Sequence, residues 1–227
     1  MLVYINILIV LYFCIQSNLV IMEFERSQDP SALKVIFVGE SSTGKTSLIN
    51  NLFHIEIDPS QPSTCIPHQQ VYHLQMPSSD EVLLSLWDTA GQEKFRSLNK
   101  LFFKNAKIAI IVIDITQKHT FLALDEFWFK YIKEICGEHC VIGIAENKVD
   151  LFEKEEVSEK DVQDYIQDKD ILTERTSAVT GVGIEDLLIK LVERYLYLVE
   201  TKVIPDTLHN STAKVNHGGN GKKDKCC

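Results

Sequence analysis

The stretch LKVIFVGESSTGKTSLINNLF, residues 33–53, decides the fold of this chain. It begins with the run LKVIFV, from Leu33 to Val38, which is rich in residues that favour strands and predicts a short strand. A loop bounded by Gly39 and Gly44 follows, and residues 46–53 have the apolar spacing of a helix. The loop fits the pattern GxxxxGK[ST], in which backbone N–H groups and a helix N-terminus converge on phosphate oxygens. The sequence therefore predicts a strand, a phosphate-binding loop and a helix, in that order.

Residues in this loop and at the start of the helix are candidates for contact with nucleotide phosphates. The Lys45 ammonium is expected to neutralise the β- and γ-phosphates, and the Thr46 hydroxyl is expected to ligate Mg²⁺. The helix dipole adds a favourable potential for an anion. A structural glycine-rich turn is the alternative interpretation. The predicted nucleotide-binding set in this region is Ser42, Thr43, Gly44, Lys45, Thr46 and Ser47.

The rest of the middle of the chain alternates between apolar strand patterns and amphipathic helix patterns. The turn-rich tetrapeptide PSSD, residues 77–80, separates two of the strands and suits an antiparallel hairpin. The alternation predicts an α/β fold, a single P-loop domain with a mostly parallel six-stranded sheet, one antiparallel edge hairpin and helices on both faces. The further predicted strands are 71–76, 81–87, 108–115, 141–145 and 171–176, and the further predicted helices are 93–105, 120–135, 158–168 and 184–199.

Two of these helices have more specific sequence signals. Ser158, followed three residues later by Asp161, is typical of a helix N-cap. The helix at 120–135 has apolar residues at steps of three and four, and we interpret this stripe as core packing against the sheet. Its members are Phe121, Leu124, Trp128, Tyr131 and Ile135.

Three loops follow other predicted strands, at the edge of the sheet where ligands of such folds bind. In DTAG, residues 88–91, Asp88 is expected to hold the magnesium shell through water, and the Gly91 N–H is expected to approach a γ-phosphate. In NKVD, residues 147–150, the Asp150 carboxylate can accept two N–H bonds from the edge of guanine, a pair that adenine does not present. The sequence therefore predicts GTP rather than ATP, with Asn147, Lys148, Asp150, and Ser177 and Ala178 from the TSA loop around the base.

Composition excludes several classes of function. The chain has 227 residues, with 23 Lys plus Arg against 32 Asp plus Glu and a net charge of −9. This acidic balance lacks the basic footprint of a protein that binds nucleic acid as its main partner. The six cysteines are scattered, with no CxxC pair or zinc-ligand spacing, which favours a reducing compartment over a disulfide framework.

The two ends of the chain have their own composition. Residues 1–21 are apolar and uncharged, and three interpretations remain open: translation begins at Met22, or the segment spans a membrane, or it is a signal peptide. We expect a short lead at 22–32, the nucleotide-binding domain at 33–200 and a flexible tail at 201–227. The tail ends in a basic string and the pair Cys226-Cys227.

On these motifs, the chain resembles a Ras-superfamily small GTPase of the Rab family. The similarity extends over residues 33–198 and includes SLWDTAGQEKFRSL at 85–98, FFKNA at 102–106 and DIT at 114–116. It implies a switch that binds and slowly hydrolyses GTP with Mg²⁺, cycles between GTP and GDP, and regulates vesicle and membrane traffic. Gln92 matches the glutamine that orients the attacking water. The resemblance therefore implies that Gln92 and Lys45 are the catalytic residues. Thr64, 19 residues after Lys45, matches the threonine that caps Mg²⁺ and senses the γ-phosphate.

The resemblance also implies partners and a location. Cys226 and Cys227 are similar to the double-prenyl acceptor of Rab proteins, and two lipids anchor a protein more firmly than one. The expected location is the cytoplasmic face of an intracellular membrane, with a cytosolic pool. The expected partners are an exchange factor, a GTPase-activating protein and effectors.

Some residues depart from the family pattern. Residues 65–70, CIPHQQ, lack the usual glycine and aromatic. Three aromatic residues typically form the surface that binds effectors in Rab proteins, and this chain keeps two of them, Trp87 and Phe102, but not the one on the second strand. Ile57 stands where an aromatic often covers the guanine, which predicts weaker stacking and faster nucleotide loss. Two alternatives stay open: a GTP-binding membrane scaffold with little hydrolysis, and a P-loop ATPase or small-molecule kinase.

Overall fold

A computed structural model describes residues 31–56, 68–89 and 102–205 of the chain. Within these residues a six-stranded sheet has the order β2-β3-β1-β4-β5-β6. The β2–β3 pair is antiparallel and the other neighbouring pairs are parallel, which confirms the predicted α/β fold and its antiparallel edge hairpin. The strands are β1 (Leu33–Val38), β2 (His68–Gln75), β3 (Glu81–Asp88), β4 (Ile108–Asp114), β5 (Val141–Asn147) and β6 (Ile171–Arg175).

The helices cover both faces of the sheet. The predicted helix at 120–135 is two α-helices joined by a π-helical turn, Leu124–Trp128, and a 3₁₀ helix, Val149–Lys154, follows β5. The predicted helix at 93–105 lies mostly outside the described residues. The α-helices are α1 (Lys45–Leu52), α2 (Lys118–Ala123), α3 (Phe129–Cys136), α4 (Glu159–Ile166) and α5 (Ile184–Glu200).

The start of α4 confirms the predicted cap. The Ser158 side chain accepts a hydrogen bond from the Asp161 backbone N–H, and the Asp161 carboxylate accepts one from the Ser158 backbone N–H. This reciprocal pairing satisfies two amides that the helix itself cannot satisfy. Helix α4 follows the 3₁₀ helix that carries Asp150 in the chain.

The core forms two layers because the central strands are buried on both faces. On one face, Val35 and Phe37 of β1 pack in a cluster that includes residues of α1 and α5. On the other face, Ile36 and Val38 pack in a cluster with the π-helical turn and α3. The aromatic stripe belongs to this second cluster, as predicted from its spacing. Its most buried residues are Leu124, Trp128 and also Ile132, which the predicted stripe did not include.

The edge hairpin is longer than its sequence pattern indicated. Strand β2 begins at His68 rather than at residue 71, because its antiparallel ladder with β3 continues to the pair His68–Asp88. The turn at 77–80 is as predicted: the Met76 N–H donates to Asp80 O at 2.9 Å. Ser79 has a positive φ of 69° in this turn.

Strand β1 lies between β3 and β4, where the connections leave in opposite directions along the sheet. Ligands bind outside the carboxyl ends of strands at such a switch point. The register brings these ends level, with Phe37 beside Asp88 and Asp114 beside Asn147. In the part of the chain that the structure describes, no helix is both long and apolar enough to cross a bilayer. The apolar segment 1–21 and the tail from residue 206 lie outside that part.

Candidate functional site

The loop after β1 has a conformation that requires its two glycines. Gly39 has φ of +137°, and a Cβ built on it would lie 2.3 Å from Val112 O. Gly44 has φ of +96°, and a Cβ there would lie 2.3 Å from Asn147 Nδ2. Both distances are far below van der Waals contact, so only glycine fits. The first glycine lets the loop pass over β4, and the second lets it approach the loop after β5.

Lys45 is held inside the curve of this loop. Its ammonium donates to Glu40 O at 2.8 Å and to Gly39 O at 3.1 Å. Burial lowers the pKa of Lys45 to about 8, while the Asp88 and Glu40 carboxylates act in the opposite direction. The group is therefore mostly protonated at neutral pH. A cation at this point, among converging backbone groups, is suited to phosphate oxygens.

Thr46 and Asp88 place two oxygen atoms that can ligate a metal ion beside Lys45. The Thr46 hydroxyl donates to Asp88 Oδ2 at 2.6 Å, and Asp88 is buried. The Thr89 hydroxyl donates to Phe37 O at 2.6 Å, which holds the start of the DTAG loop against β1. Among the described residues no three His, Cys, Asp or Glu side chains form a metal cluster. A hydroxyl and one carboxylate fit Mg²⁺, which takes few protein ligands and completes its shell with water and phosphate oxygens.

Asn147 connects the phosphate loop to the loops around the predicted base site. Its Nδ2 donates to Thr43 O at 2.8 Å. Its Oδ1 accepts from the Ala178 N–H at 3.2 Å and lies 3.4 Å from the Thr176 hydroxyl. The predicted base-binding asparagine is thus also a clamp between three loops. The sequence pattern did not show this role, because the partners lie 104 and 31 residues away.

Lys148 is fixed by a buried carboxylate that the predicted site did not include. The Lys148 ammonium lies 2.6 Å from Asp114 Oδ2, and the Asp114 side chain is 1% exposed. Asp114 Oδ1 accepts from the Thr116 N–H at 2.9 Å and from its hydroxyl at 2.7 Å. A signal was present in the sequence, since an aspartate that ends the apolar run IAIIVID needs a partner when it is buried.

Asp150 and Ser177 are joined by a hydrogen bond in the predicted base site. The Ser177 hydroxyl donates to Asp150 Oδ1 at 2.5 Å, and it accepts from the Thr180 N–H at 3.2 Å. This contact joins the NKVD and TSA loops, as expected from their places at the ends of β5 and β6. The backbone amides of Ser177 and Ala178 have acceptors in neighbouring segments. The Ser177 N–H donates to Val182 O and the Ala178 N–H to the Asn147 side chain, so both are engaged within the protein.

The structure therefore brings the four loops together at one edge of the sheet. Trp87, one of the predicted effector-surface aromatics, is buried, and its indole N–H donates to the Ser85 hydroxyl at 3.0 Å. The Phe102 ring centre lies 5.9 Å from that of Trp87. The predicted residues that lie outside the described ranges are Ile57, Thr64, Gly91, Gln92, Cys226 and Cys227, and their roles stay predictions.

Comparisons with known proteins agree with this geometry. The model of the Ras family matches residues 34–197. The chain is 29% identical to Ras-related protein Rab-5A of Dictyostelium discoideum, over 86% of this chain and 94% of that protein. It is 31% identical to GTP-binding protein ypt5 of Schizosaccharomyces pombe, over 82% and 85%. It is 32% identical to human Ras-related protein Rab-22A, over 84% and 91%.

Proposed function

The chain belongs to the Ras family and is a GTPase, and on that basis we propose that it is a Rab-type switch that regulates vesicle and membrane traffic. The relatives that bear Rab names, at about 30% identity over most of their length, support the Rab type. The observation that carries the proposal is the convergence of Lys45, Asp88 and Asp150 at one edge of the sheet. Asn147 links the loop of Lys45 to the loops around Asp150, and the Thr46 hydroxyl links the start of α1 to Asp88.

We assign the nucleotide in two parts. Lys45 and the amides of the glycine-bounded loop bind the β- and γ-phosphates. Thr46 and Asp88 would hold Mg²⁺, with Thr64 as a third ligand in the GTP state, and the ion would neutralise the charge on the phosphates. Asp150 reads the guanine edge, while Lys148 and Asn147 shape the pocket around it. This division favours guanine over adenine, because Asp150 would meet no pair of donors on adenine.

Calorimetry tests the assignment directly. With Mg²⁺ present, the protein should bind GDP and GTP, and ADP and ATP should bind at least about a hundredfold more weakly, the discrimination that unpaired buried polar groups impose. Equal affinity for ADP and GDP would instead support the P-loop ATPase or kinase alternative. No heat from any guanine nucleotide would contradict the proposal as a whole.

We propose that hydrolysis depends on Gln92, which places the attacking water against the γ-phosphate. No arginine finger is evident in the sequence, and such a residue accelerates phosphoryl transfer by about 10³- to 10⁵-fold. The isolated protein should therefore hydrolyse GTP slowly and respond to a GTPase-activating protein. Single-turnover hydrolysis should be slower in Gln92→Leu than in the wild type. Equal rates in the two proteins would favour the GTP-binding scaffold, which hardly hydrolyses GTP.

We propose that Cys226 and Cys227 carry prenyl groups and that the basic tail assists binding to an anionic membrane. The wild-type protein should partition between membrane and cytosolic fractions of its own cells, and Cys226→Ser/Cys227→Ser should be recovered in the cytosolic fraction. Mass spectrometry of the two terminal peptides counts the lipids and also identifies the first residue. A membrane fraction that survives loss of both cysteines would support an anchor in residues 1–21.

A further inference from the structure

A buried carboxylate lies directly before the NKVD loop. Glu146, in β5, is 1% exposed, and its Oε1 accepts from the Thr173 hydroxyl at 2.6 Å. Its Oε2 lies 3.9 Å from Arg175 Nη1, since Glu146 and Arg175 are partners in the β5–β6 register. Burial raises the pKa of Glu146, and the Thr173 hydrogen bond and the Arg175 charge act in the opposite direction.

The Arg175 guanidinium extends the contact to a second carboxylate. Its Nη1 donates to Glu155 Oε1 at 3.1 Å and its Nη2 to Glu155 Oε2 at 2.9 Å. Two parallel hydrogen bonds between planar groups fix orientation as well as distance. Both side chains are partly shielded, with 28% and 23% exposure. Arg175 therefore holds two acids, Glu146 and Glu155, that would otherwise repel each other.

The three members of this triad flank the two loops around the predicted base site. Glu146 directly precedes Asn147, and Arg175 is the last residue of β6, two residues before Ser177. Glu155 directly follows the 3₁₀ helix that carries Asp150. The Asp150–Ser177 hydrogen bond of 2.5 Å closes between the same two loops that the Arg175–Glu155 pair joins. Fixing the ends of these loops sets where the Asp150 carboxylate stands.

We propose that Arg175, through Glu146 and Glu155, is a positioning residue for guanine recognition. It need not contact the nucleotide. It keeps Asp150 in the position in which the carboxylate accepts hydrogen bonds from the ring N–H and the 2-amino group of guanine. The inference rests on the proposed guanine-binding function and adds to it a determinant of base specificity outside the binding loops. Removal of Arg175 should let the loops move apart, because the paired hydrogen bonds to Glu155 and the contact with Glu146 are both lost.

The test compares GDP with inosine diphosphate, which lacks the 2-amino group but has the same phosphates. Arg175→Met should weaken GDP binding about tenfold, the value of one hydrogen bond to a charged group. It should weaken inosine diphosphate by a smaller factor, because that base keeps the ring N–H but has no 2-amino group, so the GDP preference falls. A purely structural role would weaken both nucleotides together. Circular dichroism and thermal melting of each variant check that the fold is retained.

Arg194→Met is the matched control. Arg194 has a similar exposure of 31% and pairs with a single carboxylate, Asp170, at 2.6 Å. Asp170 directly precedes β6 and Arg175 is its last residue, so the two pairs lie at opposite ends of this strand. The control should leave the GDP preference at the wild-type value. Glu155→Gln is a milder second variant: it keeps Arg175 beside Glu146, weakens only the link to the 3₁₀ helix, and should lower the GDP preference about threefold.

The outcomes separate the two proposals. If the wild type binds GDP but both Arg175→Met and Glu155→Gln keep its preference over inosine diphosphate, the positioning role is wrong. An equal loss of preference in Arg194→Met would overturn it as well, because general destabilisation would then be the cause. If the wild type binds neither diphosphate, the proposed function itself fails and the positioning role fails with it.

Discussion

The phosphate half and the base half of the site are built in different ways. In the phosphate half, one continuous loop holds Lys45 through its own carbonyls at Gly39 and Glu40. In the base half, side chains from separate segments hold one another, as in the pairs Asp150–Ser177 and Arg175–Glu155. A local backbone shape therefore creates the first half, and long-range side-chain contacts create the second. The comparison teaches that the two halves should respond differently to substitution, and nucleotides that differ only in the base can measure this.

The largest effect should come from Lys45→Ala in the phosphate half. Loss of a buried, hydrogen-bonded charge at the phosphates should cost about 4 kcal/mol, or roughly a thousandfold in Kd. GDP and inosine diphosphate should weaken by the same factor, because the base half is untouched. Displacement of a fluorescent GDP analogue measures both constants. Lys133→Ala, an exposed lysine paired with Glu138, is the control and should bind as the wild type does. Weakening below tenfold would contradict the assignment of Lys45.

Asp150→Asn should have the next largest effect and should act on the base alone. The amide can still accept from the Ser177 hydroxyl, so the loops stay joined, but it cannot accept two N–H bonds from guanine. GDP should weaken about a hundredfold, which is about 2.7 kcal/mol. Xanthosine diphosphate, whose base presents a carbonyl at that position, should bind more tightly than it does to the wild type.

The same titrations measure the Asp150 variant. Asp164→Asn, at an exposed position of α4, is the control and should keep the wild-type preference for GDP. If Asp150→Asn weakened inosine diphosphate as much as GDP, it would act on the whole site. The distinction between the halves would then be wrong.

Gly44→Ala should break the junction between the two halves. Its Cβ would meet Asn147 Nδ2 at 2.3 Å, at a φ of +96°, and should push this side chain away from Thr43 O. Strain of this kind costs about 1–3 kcal/mol, so we expect about thirtyfold weaker binding of GDP and inosine diphosphate alike. Gly137→Ala is a matched control with φ of +86° and nothing within 4 Å of its Cβ. It should strain the backbone and leave nucleotide affinity unchanged, so that equal losses in the two variants would exclude the Asn147 contact as the cause.

The same contrast explains how much the sequence could predict. The phosphate loop is contiguous, so its glycines, Lys45 and Thr46 were all predicted from a single pattern. The mostly parallel sheet with its antiparallel edge hairpin also followed from the alternation of strands and helices and from the turn at 77–80. By contrast, the start of β2 was predicted three residues late. Its pairing with β3 extends the strand towards the N-terminus, to His68, before its own apolar pattern begins. The π-helical turn at Leu124–Trp128 was not predicted, since the apolar spacing fits an ordinary helix equally well.

The contacts of the base half have no local signal of this kind. Glu155 and Arg175 are 20 residues apart, and Glu146 and Thr173 are 27 residues apart. One clue was present: in β5, Glu146 directly follows the apolar run VIGIA, every residue of the strand is buried, and a buried acid requires a partner. That clue predicts that a partner exists but cannot identify it. Identification needs the β5–β6 register, which places Arg175 beside Glu146.

The smallest effect should be a change in how stability depends on pH. Burial raises the pKa of Glu146 above its ordinary value of 4.5, so the folded protein binds this proton more tightly than the unfolded chain does. The free energy of unfolding should therefore fall as pH rises from the ordinary pKa of 4.5 through the raised pKa. Glu146→Gln removes this dependence, and urea unfolding between pH 4.5 and 7.5 should show a shallower decline. Arg175→Met should give a steeper one, because the cation that lowers the Glu146 pKa is lost while Glu155 and Glu159, which raise it, remain. If the free energy of unfolding depended on pH in the same way in all three proteins, the triad would hold the base half in place without a contribution from the charge of Glu146.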